Sequence, residues 1–475
     1  MRVVCVTSAL LAGVVALVLQ ATRVEQGLNQ AADSRPNILL ILADDLDDHD
    51  SSISRMGALD SLVTERGVTL ENAFVTQSLC CPSRVSMLRG QYPHNTGVTS
   101  NAVAEYHDFA SSGQEASTFA TWIQDAGYRT AYFGKYLNGY GSTSMPDGWD
   151  RWFAASARAT MQRFNDQGAQ VTYDPSRHHF EDLLREEALA WLGKRDRSRP
   201  FLAVMATHAP HMPATPAPRH STLFTDARLP EPPSFNEDDV SDKNEWVTQR
   251  PPLSRAEIDG MDLLYRDRLR AMEGVDEMLG AVLSELRREG ELSNTYVFFT
   301  SDNGYHFGEH RFHQGKETSY EEDISVPMIV RGPGVARGAA RRQIVLNQDL
   351  GPTFAEIAGA RTPDFVDGRS FLPALGDSPP PGSQWRSAFL VNSPNTDTTA
   401  DWLRSMSNNS AVRTPRYEYI DYATGKSELY DMAKDPYQTN SLMANPPDDA
   451  LTQLRNQLGQ LRDCSGQGCK SAEGP

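Results

Sequence analysis

Four apolar runs, each ending abruptly in polar residues, constrain the fold of this chain more than any other feature. Asn37-Ile38-Leu39-Leu40-Ile41-Leu42 leads into Ala43-Asp44-Asp45, and Tyr128 to Phe133 leads into Gly134-Lys135. Phe201-Leu202-Ala203-Val204-Met205 leads into Thr207-His208-Ala209-Pro210-His211, and Tyr296-Val297-Phe298-Phe299 leads into Ser301-Asp302-Asn303-Gly304. Short runs with both faces apolar read as buried parallel strands. Helical patterns separate them. The clearest runs from Met261 to Glu289, with Leu264, Met272, Val275, Met278, Leu279, Val282 and Leu286 at spacings of three and four before Gly290. A shorter one runs from Thr118 to Asp125, before Gly127. This alternation predicts an α/β fold: a large, mostly parallel central sheet with helices on both faces. The four polar tails then converge beyond the carboxyl ends of the strands, where such sheets bind ligands.

Length and charge narrow the function. The 475 residues suit one large core with a satellite, or two or three domains. With 45 Lys+Arg against 62 Asp+Glu, the net charge is −17, which argues against a nucleic-acid partner. An anionic substrate would be repelled at long range and needs a locally positive pocket. Arg2 followed by the uncharged run Val3 to Leu19 reads as an export signal over residues 1–24, with an uncleaved anchor as the alternative. No second hydrophobic run follows, so no membrane span is expected in the mature chain, and the location is read as secreted or extracytoplasmic.

The rest of the chain divides into a polar linker over 25–35, a catalytic domain over 36–376 and a C-terminal subdomain over 377–475. Residues 213–257, rich in Pro and acidic side chains, read as a long excursion beside the substrate entrance. Residues 377–387 read as a connector. Beyond them, Ser410 to Arg413 and Tyr417 to Tyr422 suggest antiparallel strands, Thr424-Gly425 a turn, and Asp448 to Leu461 a terminal helix. Of five cysteines, Cys5 lies in the export signal. Cys464 and Cys469 suit a small disulfide loop in an exported protein, or else a pair of free thiols. Cys80 and Cys81 are adjacent, an awkward pair of thiols for an oxidising compartment.

The polar tails carry chemistry. Asp44, Asp45 and Asp302 with the amide oxygen of Asn303 make an oxygen-only donor set suited to Ca²⁺ or Mg²⁺. In isolation Asp44-Asp45 reads as a helix N-cap; with the second pair, the metal reading wins. Asp47-Asp48-His49-Asp50 reads as a solvated acidic loop. Cys80, with Pro82 and Ser83 behind it, opens a helix, and a nucleophile at a helix N-terminus sits where backbone N–H groups favour negative charge. Arg84, one turn in, is placed to reach back. Lys135 and Lys316 are candidates to grip the outer oxygens of a tetrahedral anion. Taken singly, each of these cations reads as an ordinary surface residue. His211, between prolines at a strand end, is a candidate general acid for a leaving alcohol, with His208 the weaker one.

Cys80-Cys81-Pro82-Ser83-Arg84 resembles the C-x-P-S-R signature of type I sulfatases, within the alkaline-phosphatase-like superfamily. The likeness extends in order from about Pro36 to Leu442. It runs through Ala43-Asp44-Asp45, Gly134-Lys135-Tyr136-Leu137-Asn138, Ala209-Pro210-His211-Met212-Pro213, Ser301-Asp302-Asn303-Gly304, and Gly315-Lys316 with Tyr320-Glu321 and Asp323-Ile324. The wording is most similar to the N-acetylglucosamine-6-sulfatase branch, its extracellular heparan-sulfatase relatives and some arylsulfatases. The resemblance implies that a formylglycine-generating enzyme converts Cys80 to formylglycine, and that Asp44, Asp45, Asp302, Asn303 and residue 80 hold one Ca²⁺. It implies a sulfated carbohydrate or an aryl sulfate as substrate. One hydroxyl of the hydrated aldehyde attacks sulfur; the second expels sulfate as the aldehyde re-forms. Arg84 orients the hydrate, while Lys135, Lys316 and His211 hold the sulfate or the leaving oxygen. Many sulfatases carry His where this chain has Leu137, so Asn138 is the expected partner of the hydrate, with His208 also near the substrate. The competing readings are a phosphoester or phosphonate hydrolase of the same superfamily and a catalytically dead, Ca²⁺-dependent glycan-binding protein.

Overall fold

The computed structural model describes residues 33–48, 53–141, 144–155, 162–393 and 408–475. The expected export signal and most of the linker lie outside these residues, as do His49 and Asp50. Strands β1 Asn37–Asp44, β2 Val68–Leu70, β3 Arg129–Lys135, β4 Arg151–Ala155 and β5 Arg163–Asp166 belong to one ten-stranded sheet. So do β6 Ala169–Thr172, β7 Phe201–Pro210, β8 Thr295–Ser301, β9 Met328–Arg331 and β10 Ala339–Arg341. Their order is β10-β2-β9-β8-β1-β7-β3-β4-β5-β6. The four apolar runs form the parallel centre, β8-β1-β7-β3. Antiparallel pairing begins toward the edges, where β9 meets β8 and where β4, β5 and β6 meander.

Alternation along β1 explains why it is apolar throughout. Ile38, Leu40 and Leu42 enter one core, under α1 Cys80–Arg89, α2 Phe119–Asp125 and the helix Leu350–Ala358. Leu39, Ile41 and Ala43 enter the other, under α3 Phe180–Lys194 and α4 Arg255–Arg288. A strand buried on both sides has no polar face to show.

Helix α4 starts six residues before its apolar period does. Ser254 and Glu257 form a capping box, with Ser254 N–H donating to Glu257 Oε2 at 2.6 Å and Glu257 N–H donating to Ser254 Oγ at 3.4 Å. Ser254→Ala is expected to cost about 1 kcal/mol. A lower thermal midpoint with unchanged kcat is the measurable result.

The C-terminal region adds a four-stranded antiparallel sheet, β11 Phe389–Ser393, β12 Asn409–Arg413, β13 Tyr417–Tyr422 and β14 Ser427–Asp431, covered by α5 Asp448–Arg462. The outer strands β11 and β14 are additions to the two read from sequence. This sheet shares a core with the main body: Phe74 stacks on Phe389 at 4.9 Å, and Tyr92 and Tyr320 join the same cluster. Cys464 and Cys469 are disulfide-bonded. The chain end folds back, with Glu473 Oε1 accepting from Tyr92 O–H at 2.6 Å and Oε2 accepting from Arg386 Nε at 2.8 Å. No helix among the described residues is long and apolar enough to cross a membrane.

Candidate active site

The carboxyl ends of β1, β3, β7 and β8 meet the N-terminus of α1, and the polar tails read from the sequence come together there. Strand register sets the alignment: Leu42 pairs with Thr300 on one side and Ala206 on the other, and Ala206 pairs with Gly134. Gly134 has to be glycine. Its φ is +110°, and a Cβ there would stand 1.9 Å from the Ala206 carbonyl oxygen. That close approach carries Lys135 into the site at the end of β3.

Cys80 is the first residue of α1 and is 1 % exposed. Its Sγ lies 3.7 Å from Asp44 Oδ1, 3.9 Å from Asp45 Oδ1 and 2.7 Å from Lys316 Nζ. Ligand atoms of Asp44, Asp45, Cys80 and His211 all lie within 4.8 Å of one another. Lys135 Nζ bonds Asp44 Oδ2 at 2.5 Å, and Lys316 Nζ bonds Asp45 Oδ1. Asn303 donates its amide nitrogen to Asp45 Oδ1 and the Gly304 carbonyl, both at 2.8 Å, and its Oδ1 lies 3.4 Å from Lys316 Nζ. Asp302 borders this knot: its Oδ2 accepts from Arg84 Nε at 2.7 Å and its Oδ1 from the Asp45 N–H at 3.1 Å. The donors fit a hard divalent cation in kind: the Asp44 and Asp45 carboxylates cluster with residue 80, the Asn303 amide oxygen lies beside Lys316, and Asp302 stands at the border, engaged by Arg84.

Three carboxylates, Asp44, Asp45 and Asp302, face the cations Arg84, Lys135 and Lys316, with His211 a fourth positive group when protonated. Burial works against ionisation of Asp44, but Lys135, His211, Arg84 and Lys316 outweigh it and hold the carboxyl well below its usual range. Asp45 is lowered for the same reason: burial opposes ionisation, and Lys316 and His211 win. Asp302 goes the other way, raised by burial and by the Asp44 charge. Burial pulls Lys135 down, yet Asp44 and Cys80 raise it overall.

The two histidines differ. His211 Nε2 stands 3.7 Å from Asp45 Oδ2, and its Nδ1 faces the Met212 carbonyl at 2.6 Å. Burial would lower it, but Asp45 and Asp44 lift it to about 9. His208 packs 5.1 Å away, ring to ring, and burial pushes it down to about 4. Asn138 Oδ1 is buried and has no hydrogen-bond partner among the described residues, while the Asn138 carbonyl oxygen lies 3.8 Å from Cys81 Sγ. Burial pushes the Cys81 thiol up to about 12, away from the thiolate form that reacts.

One sequence expectation needs correcting. The loop after Asp45 is not fully solvated, because Asp47 is 6 % exposed. Leu46, wholly buried, donates its N–H to Ser301 Oγ at 2.9 Å and draws the following residue in over the end of β8.

Several supporting residues have no motif of their own. Asn101 Oδ1 accepts the Cys81 N–H at 3.0 Å, supplying an N-terminal partner for α1, whose own cap residue Leu79 has none to offer. The loop bearing Lys316 is held from behind. Thr318 donates its N–H and hydroxyl to Asp323 Oδ2 at 2.8 and 2.7 Å, and Asp323 in turn binds His306 Nδ1 at 2.9 Å. Arg268 of α4 donates to the Asp45 carbonyl at 2.6 Å. It was visible in the sequence as a cation in the apolar stripe of Met261, Tyr265, Leu269 and Met272.

Comparison with known proteins accords with this geometry. The family described as Sulfatase matches residues 36–360, and the one described as N-sulphoglucosamine sulphohydrolase, C-terminal, matches residues 308–464. The N-acetylglucosamine-6-sulfatase of Capra hircus is 32% identical over 480 residues, covering 92% of this chain and 85% of that one. An extracellular sulfatase SULF-1 homolog of Drosophila melanogaster is 35% identical over 397 residues; the match covers 81% of this chain but only 35% of that longer protein. A structure of a protein in complex with its substrate D-glucosamine-2-N,6-O-disulfate shares the fold with TM-score 0.78 at 24% identity, covering 92% of this chain and 98% of that one. The fold is also that of the phosphonate monoester hydrolase of Agrobacterium radiobacter, with TM-score 0.68 at 20% identity, covering 90% of this chain and 95% of that one. With two thirds of its length matched by the family and a relative 32% identical across 92% of it, this chain belongs to the sulfatase family of sulfuric ester hydrolases.

Proposed function

We propose that this protein is an exported hydrolase of sulfate monoesters, on a sugar such as N-acetylglucosamine 6-sulfate or on an aryl alcohol, working through formylglycine at position 80 and one Ca²⁺. The observation that carries the reading is the charge balance around Cys80. Arg84, Lys135 and Lys316 offset the three carboxylates, and with His211 protonated the cluster is net positive before any divalent cation adds to it, on a chain whose net charge is −17. A sulfate monoester anion needs such a pocket. Asp44, Asp45, Asp302 and Asn303, with residue 80, would hold the ion. When bound, the ion supplies Lewis acidity toward a sulfate oxygen and toward the nucleophile.

The chain's own groups divide the remaining tasks. Lys135 and Lys316 neutralise the outer sulfate oxygens. Arg84 fixes Asp302 and, with Nη1 on the Lys135 carbonyl at 2.7 Å, the approach to residue 80. His211 delivers a proton to the leaving alcohol. A geminal diol has a second hydroxyl with which to expel sulfate, which an ordinary Cys or Ser lacks. Because Cys80 is buried, a formylglycine-generating enzyme has to act on the Cys80–Arg84 segment before the chain folds.

The test compares kcat/KM on 4-nitrophenyl sulfate and 4-nitrophenyl phosphate, with elemental analysis of the same protein and of Asp302→Ala. The expected result is preference for the sulfate, about one Ca²⁺ per chain, and loss of metal and turnover together in Asp302→Ala. Preference for the phosphate, or stoichiometric zinc in active protein, would contradict the reading and favour a phosphoester or phosphonate hydrolase. Ca²⁺-bound protein with formylglycine absent and no turnover on either ester would favour a glycan-binding role.

A further inference from the structure

The register of the central sheet slips where the site begins. Pairing of β1 with β7 runs in register from Ile38 opposite Leu202 to Leu42 opposite Ala206, then slips, so that Asp44 faces Pro210. Asp45 follows with φ 67, in the left-handed region that a non-glycine residue adopts only under constraint. After the slip, pairing of β1 with β7 ends at Asp44 and Pro210, one residue before Asp45 on one side and His211 on the other.

Arg268 occupies the space beneath this break and is wholly buried. Its Nη2 donates to the Asp45 carbonyl at 2.6 Å and its Nη1 to the Pro210 carbonyl at 3.3 Å. Its guanidinium lies 4.4 Å from the Tyr305 ring and 5.1 Å from the Phe307 ring. One side chain thus touches the residue that bears the Asp45 carboxylate, the residue before His211, and the segment that leaves Asn303. Burying a guanidinium is costly, and an aliphatic residue would fill this place in the α4 stripe at no such cost. The planar fork does what an aliphatic chain cannot: two donors in fixed geometry brace two carbonyls, one just past the end of β1 and one at the end of β7.

We propose that Arg268 is a positioning residue, which holds the Asp45 carboxylate and the His211 ring at their working separation by bridging the Asp45 and Pro210 carbonyls. The inference rests on the reading of Asp45 as a metal ligand. Partners behind a metal's direct ligands typically change affinity by about 10–100-fold when removed. Lysine keeps the charge but has no fork, so it cannot restore both contacts.

The experiment measures Ca²⁺ binding by titration calorimetry on chelator-stripped full-length protein, and kcat and KM on 4-nitrophenyl sulfate after reloading. It covers wild type, Arg268→Lys, Arg268→Met and Met278→Ala, with thermal midpoints for each. Met278 is buried in α4, far along the helix from the site, and reports on simple destabilisation. Arg268→Lys and Arg268→Met are both expected to bind Ca²⁺ about 10–100-fold more weakly, with kcat falling more than KM rises. Should one variant not fold, the other carries the test. Met278→Ala should lower the thermal midpoint and leave Ca²⁺ affinity unchanged. Wild-type affinity and kcat in a folded Arg268 variant would overturn this inference alone, as would an equal loss of affinity in Met278→Ala. Wild-type protein that binds no Ca²⁺ would overturn the metal reading and this inference with it.

Discussion

Cys80→Ala is expected to lose turnover by roughly 10⁴-fold or more, the scale on which removing one member of an interdependent catalytic group acts, while the protein stays folded. The side chain removed is small, and its nearest polar contacts are Lys316 Nζ and the two aspartates, which remain to neutralise one another. The partner experiment is Cys81→Ala. Cys81 lies one residue along the same helix, equally buried, yet its thiol faces the Asn138 carbonyl and is held protonated by burial. It should keep most of its activity. Circular dichroism and thermal midpoints establish that both variants are folded, and kcat on an aryl sulfate then separates them. Comparable losses in the two would mean that the helix start matters for packing and that position 80 carries no special chemistry.

His211→Ala is expected to discriminate between leaving groups. If His211 donates a proton to the departing oxygen, its loss should cost about 10²–10⁴-fold on an ester of a poorly acidic sugar alcohol, the usual range for a general acid. A phenolate departs without that help, so 4-nitrophenyl sulfate should be affected much less. The comparison is kcat/KM on 4-nitrophenyl sulfate and on a 6-sulfated glucosamine, for wild type and variant. Equal losses on both substrates would assign His211 to holding sulfate and make His208, 5.1 Å away, the better donor.

The centre of the fold was legible because its signals are local. Runs such as Ile38 to Leu42 are apolar on both faces since both faces are covered, and each strand's end is marked by the residues that form the site. Elements whose stability comes from neighbours were not. The strands Arg163–Asp166 and Ala169–Thr172 are short and polar at the sheet edge, and Met328–Arg331 pairs antiparallel against an otherwise parallel neighbour. The start of α4 was missed because Arg255 to Gly260 has no apolar period, although Ser254 and Glu257 carry the capping signal. Among the clustered residues, those that stand in motifs were legible in the sequence and those that support them from behind were not. The Asp323 contacts to His306 and Thr318, and the Asn101 contact to α1, join residues through loop geometry that no spacing announces. Arg268 is the exception, a buried cation written plainly into an apolar stripe and passed over because the stripe was read only for its apolar members.

The charge balance at the site also explains how an acidic chain can take an anionic substrate. Long-range repulsion from a net charge of −17 is screened over about 8–10 Å at physiological ionic strength. Within that distance of residue 80, the field is set by the cluster's own groups, Lys135, Lys316, Arg84 and His211 against Asp44, Asp45 and Asp302. Specificity for the alcohol would then rest on the groups around the pocket mouth, among them the 213–257 excursion.

The most direct measurement is the mass of the tryptic peptide that ends at Arg84, taken from protein of known specific activity. The account predicts that residue 80 is found as formylglycine, in a fraction that rises in proportion to kcat across preparations. Fully active protein in which that peptide carries an unmodified cysteine at position 80 would contradict it.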